Sequence, residues 1–354
     1  MTGQSDSYLP SPSSDRYARQ IRFGRIGEEG QRRLGTSRAA VVGLGALGCV
    51  SAHHLARSGV GYIRLIDRDI VEWTNLQRQM LYDEQDAASC LPKAAAAADR
   101  LRAINGSIEI EAHAADLTAA SAEELLGGVD LIIDGSDNFS ARYLINDYSV
   151  KHGVPWIYGG VVGASGVTAT ILPGESPCYR CLYPTMPAPG TADTCETAGV
   201  LSPAVDIVGS VQAAEALKLL SGNAGALHGT LFQIDLWNHH WLPIASSGSK
   251  RSDCPACGQR RFEFLEPADE AQSAVSLCGR QSVHVSPGVK TALDLDGIAA
   301  RLSALGHLEQ NKFLLRLRYK EGMTFVLFGD GRAIVQGTDD LTKARSIYAE
   351  LLGI

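Results

Sequence analysis

The stretch "AAVVGLGALG", Ala39–Gly48, carries the first decision about this chain. Four small apolar residues read as a short buried strand. Gly43, Gly45 and Gly48 then follow at the spacing of a turn that leads into a helix. Such glycines permit a tight turn and let a phosphate approach the amides at a helix N-terminus. The helix is expected to run to Gly59, which reads as a left-handed cap. "YIRLID", Tyr62–Asp67, is the second strand, and Asp67 stands 19 residues beyond Gly48, where a carboxylate can bind ribose hydroxyls. Taken alone, the pattern suits an NAD-dependent enzyme or another nucleotide binder, and close helix–strand packing would also account for the glycines.

Outward from that turn the alternation continues. Lys93 to Asn105 is an Ala-rich helix stopped by Asn105-Gly106, and strands begin at Ile108 and Val129. A helix spans Phe139 to His152, closed by Gly153, before the strand "VPWIYGG" from Val154. This order predicts a Rossmann-like, mostly parallel sheet with helices on both faces. Val161 to Pro173 and Thr230 to Trp241 read as longer antiparallel strands extending it. Ser202 is expected to cap a helix with Pro203 at its first position. Toward the N-terminus, Arg16 to Leu34 reads as helix interrupted at Gly24 and Gly27, and the Ser/Pro/Asp-rich residues 1–15 as a disordered tail. The main domain is set at 16–268. After a linker, Glu266 to Ser276, residues 269–354 are expected to form a small α+β domain: a strand near Val283, a helix from Leu295, two strands around Asp330-Gly331 and a last helix, Leu341 to Leu352.

Composition narrows the function classes. The 354 residues are 45% hydrophobic and 20% charged, with a net charge of −7, which disfavours nucleic acid or an anionic membrane as the main partner. No apolar run reaches the roughly 20 residues of a membrane span, and the first residues lack the pattern of a signal peptide. A cytoplasmic protein is expected.

In such a setting the pairs Cys178-Tyr-Arg-Cys181 and Cys254-Pro-Ala-Cys257 point to metal before disulfide. Four thiolates at this spacing make a closed tetrahedral zinc site, structural because no position is left for a substrate. A redox dithiol is the alternative. Cys195 stands alone in a Pro/Gly-rich loop before a helix N-terminus, an environment that lowers a thiol pKa. It reads as a reactive cysteine or as a small loop hydrophobe. Cys49, inside the helix after the glycine turn, reads as core.

The continuation "LIDRDIVEWTNLQRQ", Leu65–Gln79, weighs against a nicotinamide site. Asn75, Arg78 and Gln79 follow Asp67 at once, Lys93 comes next, and Asp137-Asn138 sits at the carboxyl end of another parallel strand, where ligands of such sheets bind. Two cations and an amide suit a triphosphate, and Asp137 offers a hard oxygen ligand for magnesium.

"RYARQ" (Arg16–Gln20), the glycine turn, "LIDRDIVEWTNLQRQ", "LPK" (Leu91–Lys93), "DGSDN" (Asp134–Asn138), "CYRC", "TCETAG" and "CPACG" together resemble the ThiF/MoeB/HesA family, bacterial relatives of the ubiquitin-activating enzymes, over Arg16 to Arg261. The resemblance implies an adenylyltransferase. It would use ATP and magnesium to activate the C-terminal glycine carboxylate of a ubiquitin-like sulfur-carrier protein ending in Gly-Gly, for thiamine or molybdopterin synthesis. It also implies that Asp67 binds the ribose, that Gly43, Gly45 and Gly48 shape the pocket, and that Asn75, Arg78 and Lys93 hold the phosphates. Asp137, beside Asn138, would take the magnesium. Arg19 would reach the other subunit's phosphates in a homodimer, and Cys195 matches a cysteine that bonds the carrier covalently in some members. The last part of the chain does not resemble the rhodanese domain of some relatives, so sulfur would come from a separate donor such as a cysteine desulfurase. The same chemistry aimed at a tRNA modification or a peptide, an NAD-dependent dehydrogenase and a non-catalytic scaffold are the rival readings.

Overall fold

The computed structural model describes residues 12–188, 197–266, 274–277, 282–287 and 292–353. One compact unit comprises the chain up to Met186 together with Val200–Glu266; a second contains Pro267–Ile354.

The first unit opens with α1 (Pro12–Ile21) and α2 (Gly27–Thr36), so residues from Pro12 onward are helical where a tail was expected. The rest of that tail lies outside the described residues. Then come β1 (Arg38–Val42), α3 (Ala46–Ser58), β2 (Tyr62–Ile66), α4 (Glu84–Ala88), α5 (Lys93–Ile104) and β3 (Glu109–His113). They are followed by α6 (Ala122–Leu126), β4 (Leu131–Asp134), α7 (Phe139–His152), β5 (Trp156–Val162) and β6 (Ser165–Ile171). The unit closes with α8 (Tyr179–Leu182), α9 (Ser202–Leu220), β7 (Thr230–Asp235) and β8 (His240–Ala245).

These eight strands form one sheet in the order β3-β2-β1-β4-β5-β6-β7-β8. Pairing is parallel from β3 to β5 and antiparallel from β5 to β8. Alternate residues of β1 serve opposite faces: Ala39 and Val41 pack in one core with Leu55, Ala97 and Leu101, while Ala40 and Val42 pack in the other with Leu125, Tyr143 and Trp156. Burial on both sides explains why β1 and β4 read as unbroken apolar runs.

Two segments read as long strands are hairpins instead. Gly163, at φ +61°, turns the chain between β5 and β6, so Val161 to Pro173 straddles that turn. Thr230 to Trp241 spans the turn between β7 and β8, which Asp235 stabilises by accepting from Asn238 N at 3.1 Å. At α9, Ser202 is the first helical residue and makes no cap; Leu201 holds that position without a side-chain bond. A tertiary tie does the work, since Leu201 N donates to Gly163 O at 2.8 Å.

The second unit is a small α+β structure. Its six-stranded antiparallel sheet runs β11-β12-β13-β14-β10-β9, from β9 (Ala274–Leu277), β10 (Ser282–Val285), β11 (His307–Gln310), β12 (Leu314–Arg318), β13 (Thr324–Phe328) and β14 (Ala333–Gln336). Strand β9 begins within what was read as linker. Helices α10 (Leu295–Leu302) and α11 (Leu341–Leu352) cover a core of Val283, Leu315, Phe325, Leu327, Val335 and Ile347.

No helix among the described residues is long and apolar enough to cross a membrane.

Candidate functional site

Strand order reverses between β1 and its neighbour β4, and the loops that leave their carboxyl ends therefore line one crevice. The first loop is the glycine turn. Gly43 has φ +81°, and a Cβ there would strike the Gly135 backbone at 2.7 Å. A Cβ on Gly48 would run into the Gly43 carbonyl. These two glycines are thus required by packing. Gly45 is not: its Cβ would meet Gln79 Nε2 and Gly135 O only at 3.9 Å, in a space beside the N-terminus of α3 that no described residue fills. Gln79 is 2% exposed, and its Oε1 is buried without a partner among the described residues. An unfilled cradle and an orphaned acceptor at the positive end of a helix suit a polar, anionic ligand.

Asp67 follows directly on β2 at the same edge. Its Oδ2 accepts from Leu44 N at 2.6 Å and its Oδ1 from Asp69 N at 2.7 Å, so both oxygens are oriented by backbone. Burial pushes the Asp67 carboxyl up, and the nearby Lys93 ammonium opposes that shift. Lys93, 2% exposed, opens α5 and reaches the site because the chain doubles back: Val71 N donates to Leu91 O and Lys93 N to Asp69 O. Its Nζ lies 3.3 Å from Asp69 Oδ2. Tyr82 joins the two walls by donating to Leu44 O at 2.8 Å and Lys93 O at 3.3 Å.

Asn75 is buried, and its Oδ1 accepts from Glu72 N at 3.0 Å in a short 3₁₀ turn. Arg78 is half-buried and donates from Nη1 to Thr74 O at 2.7 Å. Asp137 is exposed at the end of β4, and Asn138 caps α7 by accepting from Ala141 N at 2.8 Å. The structure therefore gathers Gly43, Gly45, Gly48, Asp67 and Lys93 tightly, with Asn75, Arg78, Asp137 and Asn138 on the flanking segments.

Arg19 is not brought to this crevice within one chain. Its helix docks at the far ends of α3 and α5, where Gln20 Nε2 donates to Ser58 O and Arg16 Nη1 to Ile104 O. About 18 Å of α3 separates that end from the glycine turn. Cys195 lies outside the described residues.

Sequence reasoning passed over Asp69 and Arg142, and it grouped Gln79 with Asn75 and Arg78 without giving it a role. Arg142 is a buried cation in the first turn of α7, paired with Asp134. An arginine in the first turn of the helix that follows Asp137-Asn138, beside the apolar Tyr143, Leu144 and Ile145, was the available signal.

The four paired cysteines meet. Cys181 and Cys257 sulfurs are 3.4 Å apart, Cys178 and Cys254 3.6 Å, Cys178 and Cys181 3.9 Å, and all lie within 4.8 Å of one another. Sulfurs bound tetrahedrally at about 2.3 Å stand about 3.8 Å apart, so this cluster can hold a metal ion. Its surroundings are fixed by Asn146 Oδ1, which accepts from Tyr179 N, and by Arg180, which pairs with Glu263 at 2.8 Å. Cys49 is fully buried core.

The model of the ThiF family matches residues 17–256. The sulfur carrier protein ThiS adenylyltransferase of Bacillus subtilis is 42% identical over 339 residues, covering 96% of this chain and 99% of that protein. The SAMP-activating enzyme E1 of Haloferax volcanii is 38% identical over 270 residues, 76% of this chain and 98% of that protein. Escherichia coli MccB, crystallised with ATP, superposes with a TM-score of 0.59 at 23% identity, covering 69% of this chain and 74% of MccB, and so shares the fold.

Proposed function

The chain belongs to the ThiF family, and on that premise we propose that it adenylates the C-terminal glycine of a ubiquitin-like sulfur-carrier protein of the ThiS type. The observation that carries the reading is the full-length likeness to the Bacillus subtilis ThiS adenylyltransferase, which extends through the second unit, whereas the likeness to the Haloferax enzyme covers 76% of the chain. That shared second unit favours a ThiS-type carrier, and with it thiamine synthesis, over a molybdopterin carrier.

In the reaction, a carboxylate oxygen of the carrier bonds to the α-phosphorus of ATP. The bond from that phosphorus to its β-bridging oxygen breaks, and pyrophosphate leaves with the electron pair. An anion attacks an anion, so fixed positive charge and dipoles must be in place beforehand. Lys93 and Arg78 supply cations, Asn75 an amide, and the N-terminus of α3 its oriented N–H groups. Asp67, its oxygens already aligned by Leu44 N and Asp69 N, accepts from the ribose hydroxyls. Asp137 would hold magnesium, which offsets phosphate charge when bound. Zinc is the metal suited to the four thiolates, and the site is structural because all four positions are protein sulfur. In a homodimer Arg19 serves the partner's site, and a cysteine desulfurase supplies the sulfur.

ATP–pyrophosphate exchange with magnesium and ThiS-type carriers, with and without the terminal Gly-Gly, tests the reading. Exchange that requires the intact tail is expected, and Lys93→Ala should reduce it about a hundredfold or more. Absence of exchange from folded, zinc-loaded protein with every carrier would refute it.

A further inference from the structure

Gln79 stands where the adenylation reaction would take place, yet the phosphate and ribose ligands proposed above do not include it. Its side chain is 2% exposed, with Oε1 buried and unpartnered among the described residues. Its Nε2 borders the open space beside Gly45 at the N-terminus of the 13-residue α3. Buried polar atoms of this kind are satisfied in the working state, by protein, water or ligand.

The chemistry of the reactants selects the donor. Phosphate oxygens only accept, so they suit Nε2 and repel Oε1. Ribose hydroxyls have the Asp67 carboxylate. The adenine amine lies beyond the ribose, away from a helix N-terminus occupied by phosphate. The donor left in the reaction is the last peptide N–H of the carrier tail.

We propose that Gln79 is a positioning residue that joins the two substrates: its Oε1 accepts the N–H of the carrier's terminal glycine while its Nε2 donates to an α-phosphate oxygen. One rigid amide then sets the attacking carboxylate against the α-phosphorus, and orientation of this kind lowers the barrier without touching the reacting bonds. The assignment rests on the adenylation reading.

The test changes the tail as well as the enzyme. A ThiS-type carrier is made semisynthetically with its last amide replaced by an ester, which removes that one N–H. In ATP–pyrophosphate exchange, the wild-type chain is expected to lose about tenfold in kcat/KM for the ester-tailed carrier, as for one lost hydrogen bond. Gln79→Leu should lose about tenfold with the ordinary tail and nothing further with the ester. Gln79→Glu retains an acceptor and stays sensitive to the ester. A merely structural role would leave ester sensitivity intact in Gln79→Leu. Indifference of the wild-type chain to the ester, or losses that multiply, would overturn the assignment, and the wild-type comparison needs no variant to fold. Failure of exchange with the ordinary tail would instead overturn the adenylation reading, and the assignment with it.

Discussion

Arg142 Nε lies 3.2 Å from Asp134 Oδ2, with both side chains buried beneath the loop that carries Asp137. Arg142 also donates from Nη2 to Ser136 O at 2.8 Å and to Gly159 O at 3.3 Å, while Asp134 Oδ1 accepts from Ser136 N and Oγ. The pair thus ties the end of β4 to α7 and β5, and so sets the height of the candidate magnesium carboxylate. Removing one partner leaves an uncompensated buried charge. Arg142→Met is expected to destabilise the fold by about 3–5 kcal/mol, while the double change with Asp134→Leu recovers much of the loss. Urea denaturation of the three proteins measures this directly.

The two glycine positions separate packing from binding. Gly48→Ala puts a methyl group into the Gly43 carbonyl and should yield little folded protein. Gly45→Ala meets only ordinary contacts at 3.9 Å and should fold, yet lose ATP affinity by filling the cradle. Circular dichroism melting and ATP titration of both variants distinguish the effects.

Metal removal should act on the clasp before the crevice. The four sulfurs join segments 76 residues apart, so their ligation closes a long loop. In small peptides structural zinc is worth about 10–16 kcal/mol. Cys178→Ala, or a strong chelator, is expected to release one zinc per chain and lower the thermal midpoint sharply. Cys49→Ala should leave the zinc content unchanged. Metal analysis paired with thermal unfolding checks both.

Burial pushes the Cys49 thiol from 9.0 up to about 12. At pH 8 almost none of it is thiolate, so iodoacetamide should spare Cys49 in the native protein and modify it after denaturation, as peptide mass mapping would show. The sign for stability follows. The folded chain holds this proton more tightly than the unfolded one, so the contribution is complete below about pH 9 and is lost as pH rises toward 12. A stability profile that stays level across that range in wild type, or that falls equally in Cys49→Ala, would contradict the assignment.

Local patterns were legible wherever a residue's role is decided within a few neighbours. The glycine turn, the apolar runs of β1 and β4, the left-handed Gly59 and Gly153 at φ +78° and +76°, and the two Cys-x-x-Cys pairs all fall in this class. So does Asp67, because the residue that directly follows a buried strand's carboxyl end is delivered to the crevice. The order of these motifs identified the family and its chemistry.

What required the tertiary structure were the relationships that no spacing encodes. The hairpins at Gly163 and Asp235 depend on which strand lies alongside, and the entry to α9 on a carbonyl that a distant turn supplies. The partnership of Lys93 with Asp69, the buried Arg142–Asp134 pair and the unanswered oxygen of Gln79 arise because side chains far apart in sequence are desolvated together. Sequence determined which chemical groups this protein has and the order in which it presents them. Only the folded chain decided which of those groups are left facing each other without water, and that is where their energies are set.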